Sequence, residues 1–161
     1  MDGALPPDEV HPEPEDLLLG LLRRDPARTH FEKVQLDPRG SAPLAVDALM
    51  ADREGKIWIG TDGSGIRVFD PRTGRVLESR RQRYAPGSIS NDSVGTIYQD
   101  RQGDVWLGVY PHSVNFLNRQ NAAFRTYRPI PGLARSLSDD LVTSLLEDSR
   151  GDLWVGTDQG G

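Results

Sequence analysis

Ser136-Leu137-Ser138-Asp139-Asp140-Leu141-Val142-Thr143-Ser144-Leu145-Leu146-Glu147-Asp148-Ser149-Arg150-Gly151-Asp152-Leu153-Trp154-Val155-Gly156-Thr157 is the third writing of one pattern. Trp58, Trp106 and Trp154 stand at equal intervals along the chain. The same offset carries Asp52 to Asp100 to Asp148, Gly55 to Gly103 to Gly151 and Gly60 to Gly108 to Gly156. It also moves Ser88, Ser90, Asp92 and Val94 onto Ser136, Ser138, Asp140 and Val142. Self-similarity at a fixed period of this length is the signature of a repeat architecture.

Each copy reads as a β-hairpin. Val94, Thr96 and Tyr98 alternate with Gly95, Ile97 and Gln99, then Asp100-Arg101-Gln102-Gly103 leads into Val105-Trp106-Leu107. Asp favours the first place of a tight turn and Gly supplies the positive φ that closes it. In the second run both pleat faces are apolar: Ile57 and Ile59 against Trp58, Val105 and Leu107 against Trp106. A strand apolar on both faces is buried on both, so sheets stacked face to face satisfy the pattern. The three Trp residues, with Asp52, Asp100 and Asp148 at the turns and Gly55, Gly103 and Gly151 closing them, are expected to be the structural core of the repeat.

The run Ser-x-Ser-Asn/Asp-Asp-x-Val, then Asp-x-x-Gly-Asp/Lys-hydrophobic-Trp-hydrophobic-Gly-Thr, then the turn Asp70-Pro71-Arg72-Thr73-Gly74, resembles the two-component regulator propeller repeat. The resemblance covers about Phe31 to the C-terminus. It implies an all-β fold with about one four-stranded antiparallel blade per repeat. It also implies a sensory ectodomain whose parent carries a histidine kinase, often hybrid, or a diguanylate cyclase. The expected architecture is a partial β-propeller, an open arc of about two complete blades and two partial ones. The expected division is residues 1–26 as a disordered or extended leader, 27–40 as a partial blade, 41–87 and 88–135 as blades, and 136–161 as a partial blade. Phe31-Glu32-Lys33-Val34-Gln35-Leu36 matches Phe124-Arg125-Thr126-Tyr127 and is expected to be an outer strand whose earlier strands are absent. Propellers close with about four to eight blades, so the chain reads as a fragment of a larger propeller or as a unit that assembles with something else.

Composition bounds the rest. The 161 residues carry a net charge of −5 and no cysteine, so a disulfide framework and a thiolate metal site are excluded. Acidity disfavours nucleic acid and anionic lipid as partners, and no apolar run approaches a membrane span. In the proline-rich, acidic leader, Leu17-Leu18-Leu19-Gly20-Leu21-Leu22-Arg23-Arg24 is expected to form a short helix or a frayed turn. It fails as a secretory signal because its apolar run is short, acids precede it and its basic residues follow it. Lack of a signal points to the cytoplasm, whereas the resemblance implies the periplasm as part of a membrane-anchored parent, which is the reading adopted.

Candidate binding residues lie where the repeat departs from itself. The loops Asp62-Gly63-Ser64-Gly65, Tyr110-Pro111-His112-Ser113 and Asp158-Gln159-Gly160-Gly161 fall on one face of a propeller, and loops commonly carry function. In the middle unit Gly-Thr-Asp becomes Gly108-Val109-Tyr110, followed by His112. Tyr110, His112 and Asp62 are therefore the candidate ligand residues, suited to stacking on and hydrogen-bonding a small molecule or glycan. Asp62-Gly63-Ser64-Gly65 lacks the oxygen spacing of a calcium loop and precedes no helix. Arg80-Arg81-Gln82-Arg83 reads as a solvated outer strand. His11, His30 and His112 show no ligand spacing, and no acid and base pair is visible, so no catalytic residue, metal or cofactor is assigned. Three classes remain: a non-catalytic sensor segment, a protein interaction scaffold, and a fragment of a propeller lyase or hydrolase. The expected partners are a small-molecule or glycan ligand, the parent's remaining blades, and a second copy of the chain.

Overall fold

The computed structural model describes residues 20–24, 30–37, 44–80, 87–111, 113–120, 123–139 and 141–158. Among them are twelve strands and no helix. The strands are β1 (Leu21–Arg24), β2 (Phe31–Val34), β3 (Val46–Ala51), β4 (Ile57–Thr61), β5 (Ile66–Asp70), β6 (Arg75–Arg80), β7 (Ser93–Gln99), β8 (Val105–Tyr110), β9 (Ser113–Leu117), β10 (Phe124–Tyr127), β11 (Val142–Glu147) and β12 (Leu153–Thr157). They form four antiparallel sheets: β1-β2, β3-β4-β5-β6, β7-β8-β9-β10 and β11-β12. Each is a meander, so each sheet is a blade or part of one, and the sheets do not close into a ring. Ladder pairing slips at Asp47, Gly95 and Thr143, the same position of each repeat. A bulge repeated in register bends the inner strand of every copy the same way.

Two apolar layers hold the stack. Trp58, Ile66, Val68, Ile89, Val94, Val105, Leu107 and Val109 are buried together between the two four-stranded sheets. Leu21, Leu36, Ile59 and Phe69 do the same between β1-β2 and β3-β6. Gly60 and Gly108 are what let neighbouring sheets approach. A Cβ on Gly60 would overlap the Val94 carbonyl oxygen of the next sheet, and one on Gly108 would lie 3.0 Å from Val142 Cγ1.

Each hairpin is latched by its aspartate. The second carboxylate oxygen of Asp52, Asp100 and Asp148 accepts the indole N–H of Trp58, Trp106 and Trp154 at 2.9, 2.8 and 3.0 Å. The first oxygen accepts the backbone N–H of Lys56, Asp104 and Asp152. Gly55, Gly103 and Gly151 close the turns with φ of 80°, 87° and 90°. One side chain thus satisfies both a turn amide and a Trp donor, which burial would otherwise leave unpaired. The latched sheets are then tied together by arginine. Arg53 donates to the carbonyls of Asp100 (2.9 Å) and Arg101 (2.7 Å), and Arg101 donates to those of Asp148 and Ser149.

Three expectations are corrected. Leu17–Arg24 is not helical where described: Leu21–Arg24 is a strand, because pairing with β2 and burial of Leu21 under Leu36 and Phe69 outweigh local propensity. Accordingly the outer strand at Phe31 does not lack its predecessor, since β1 supplies it. Trp154 is 59% exposed rather than core. Trp106 is covered by Phe116, with ring centroids 4.4 Å apart, and by Tyr127 at 6.1 Å, whereas β12 has no third strand beside it among the described residues.

Candidate functional site

The bulged inner strands and latched hairpins bring the end of β4, the start of β7 and the end of β8 to one rim. Asp62 follows β4 and is exposed. Its Oδ1 accepts from Ser93 Oγ at 2.7 Å, and Ser93 Oγ in turn accepts the Gly63 N–H at 3.1 Å. Ser93 faces Tyr110 across the β7-β8 ladder, and Tyr110 is 56% exposed. The structure therefore brings Asp62 and Tyr110 to the same edge, with Ser93 between them. His112, the third candidate, lies outside the described residues.

Buried polar side chains fix the loops behind this rim. Asn115 is fully buried; it accepts the Ser90 N–H at 2.8 Å and donates to Ser90 Oγ (2.8 Å) and Ser113 Oγ (3.1 Å). Arg67, which occupies the same position one repeat earlier, is buried and donates to the Ser64 carbonyl at 2.8 Å. Thr61 Oγ1 donates to the Gly65 carbonyl at 2.7 Å, and the Gly65 N–H donates to the Asp92 carbonyl at 2.6 Å. Each rim loop is thus pinned from its own third strand and across to the next sheet, so the exposed groups stand on a pre-ordered frame. Asp92 Oδ1 is buried there without a hydrogen-bond partner among the described residues, an acceptor left for water or a donor from outside.

Sequence reasoning found Tyr110 and Asp62 and missed Ser93, Asp92, Asn115 and Arg67. The signal for the last two was present: a polar residue in mid-strand of Ile66-Arg67-Val68-Phe69 and of Val114-Asn115-Phe116-Leu117, where burial on both faces demands a polar partner. Chemically the rim offers carboxylate and hydroxyl acceptors beside a phenol ring, a set that binds hydroxyl groups. Among the described residues no three His, Asp or Glu side chains are grouped so as to hold a metal ion.

The two-component regulator propeller family matches residues 40–63, 88–110 and 136–159, the stretches that contain β3-β4, β7-β8 and β11-β12. The chain carries two-component regulator propeller repeats. No curated protein matches it. Among solved structures, the extracellular domain assigned to the hybrid two-component system BT4673 of B. thetaiotaomicron superposes with a TM-score of 0.73 at 23% identity, covering 89% of this chain and 18% of that one. A second structure of that domain, described as belonging to a one-component system, gives 0.74 at 24% identity with the same coverage. The extracellular domain of the hybrid system BT3049 of the same organism gives 0.63 at 23% identity, covering 85% and 18%. At these identities the likeness is one of fold, and the propeller chain spans less than a fifth of the length of the structures it matches.

Proposed function

We propose that these repeats form a ligand-sensing segment of the periplasmic ectodomain of a membrane-anchored two-component signalling protein. The segment is not catalytic by itself, and the parent's output domain is a histidine kinase or a diguanylate cyclase. The observation that carries this reading is the coincidence of three family matches with a fold shared by extracellular domains of hybrid two-component systems. The rim supports the sensing role: Tyr110 offers a stacking face, and Asp62, Ser93 and Asp92 offer acceptors for hydroxyl donors on a frame fixed by buried Asn115 and Arg67. A saccharide, which presents an apolar ring face and a girdle of hydroxyls, is the ligand class that fits this set.

The test is calorimetric titration of the chain with a panel of neutral and acidic oligosaccharides. Saturable binding that weakens about tenfold in Tyr110→Ala, the size expected when an aromatic contact is lost, supports the rim. Binding untouched by Tyr110→Ala and Asp62→Asn would refute it. Transfer of phosphate from ATP by this chain alone would refute the non-catalytic assignment.

A further inference from the structure

The two ends of the chain are complementary halves of one blade. In the whole sheets every second strand has a third beside it: β4 pairs with β5, and β8 with β9. Among the described residues β12, a second strand, has no third, and β1, a third strand, has no second. The assignment of β1 follows from its hairpin. Arg24 faces Phe31 as Leu117 faces Phe124, so Gly20, Leu21, Leu22, Arg23 and Arg24 take the places of Ser113, Val114, Asn115, Phe116 and Leu117. Leu21 is buried as Val114 is, and Asp25-Pro26-Ala27-Arg28-Thr29 follows β1 as Asp70-Pro71-Arg72-Thr73-Gly74 follows β5.

Each unpaired edge also borders an apolar groove. One, of about 400 Å³, runs along β1 beside Leu49, Met50 and Phe69. The other, of about 490 Å³, runs along β12 and is walled by Trp106, Val114, Tyr127, Ile130 and Leu133. The exposed large apolar side chains gather at these ends: Leu22, Phe31 and Leu49 at one, Tyr127, Ile130, Leu133, Leu146 and Trp154 at the other. Charge agrees as well. β1 ends in Arg23 and Arg24, and β12 is preceded by Asp152, whose side chain is 66% exposed.

We infer that β12 of one copy is completed by β1-β2 of a second copy, giving a composite four-stranded blade. Carrying the β8-β9 register forward by one repeat places Leu153, Trp154, Val155 and Gly156 opposite Arg24, Arg23, Leu22 and Leu21 of the second copy. Arg23 then lies over the bare Trp154 ring where Phe116 lies over Trp106, a guanidinium on an indole face. The backbone edges of both strands gain partners, which removes the template for open-ended pairing. Each copy then contributes two whole blades and two halves, three blades in all. Two copies make six, within the range in which propellers close. A head-to-tail contact that closes yields a ring rather than a filament, so the product is a cyclic dimer.

Sedimentation of the full chain over a range of concentrations tests this. The expected mass is twice the 17.8 kDa of one chain, and Leu22→Glu, at an exposed position of β1, returns it to one chain with an unchanged circular dichroism spectrum. Because the chain has no cysteine, Leu22→Cys with Val155→Cys reports the register: oxidation links copies covalently, whereas Leu22→Cys with Trp154→Cys, one residue off and on the opposite sheet face, does not. A single-chain mass at all concentrations, growth without limit, or equal cross-linking by both pairs overturns the proposal. So does a single chain whose β12 edge is protected by a different polypeptide.

Discussion

Removing the carboxylate of Asp100 tests whether the aspartate latch, rather than generic turn propensity, holds a blade. Asp100 is buried. Asp100→Ala strips the acceptor from the Trp106 indole N–H (2.8 Å) and from the Asp104 N–H (2.8 Å), while leaving the Gly103 N–H on the Asp100 carbonyl. Each stranded donor costs about 1–3 kcal/mol where water cannot reach it, and Trp106 is only half-buried, so the expected loss is about 2–4 kcal/mol. That is a large share of a typical stability of about 5–15 kcal/mol, and corresponds to a fall in Tm of about 4–16 °C for a domain of this size. Asp148→Ala removes the same two bonds in the third copy, but Trp154 is exposed, so water replaces the lost acceptor and the effect is much smaller. Urea unfolding followed by Trp fluorescence measures both variants. A double-mutant cycle with Trp106→Phe isolates the indole bond, since the Phe variant has no donor to strand. If Asp100→Ala falls within about 0.5 kcal/mol of the parent, the range of an ordinary surface change, or if Asp148→Ala costs as much, the latch argument fails.

Other outcomes follow from the same contacts. Arg101→Ala, which frees the carbonyls of Asp148 and Ser149, should cost about 1 kcal/mol because the side chain is half-exposed, and should raise hydrogen exchange in β11-β12 while leaving β3-β6 unchanged. Gly60→Ala places a Cβ against the Val94 carbonyl of the next sheet and should destabilise by about 1–3 kcal/mol. Gly156→Ala meets only the Ser144 hydroxyl and nearby side-chain atoms, which can rotate away, so near-parental urea midpoints for both glycine variants would contradict the close-approach argument. On acidification, the Asp148 carboxyl is held below the usual range by the Trp154 indole and then by the Asp152 and Arg150 amides, and Asp70 by the Arg72 amide. A folded-state value below the unfolded one means that stability is present above about pH 4 and is lost as pH falls through the folded value. NMR titration should therefore give both side chains midpoints below about 3.9; midpoints above it would contradict the assignment.

The sequence by itself determined the period, the strand pairs and the turns, because those depend on local chemistry that recurs in every repeat. Alternating apolar positions, an Asp at the turn and a Gly with positive φ need no distant partner to be read. It also located Tyr110 as a departure from the pattern and Asp62 in the matching loop. It did not yield the strand at Leu21–Arg24, since a run of leucines before two arginines has no local preference strong enough to decide, and pairing with Phe31–Val34 decides it. Nor did it show that Asp62 reaches Ser93, that Arg53 and Arg101 hold the next sheet's carbonyls, or that Trp154 is bare while Trp58 is covered. Identical repeats acquire different surroundings only when stacked, and burial, edge pairing and rim geometry are properties of the stack.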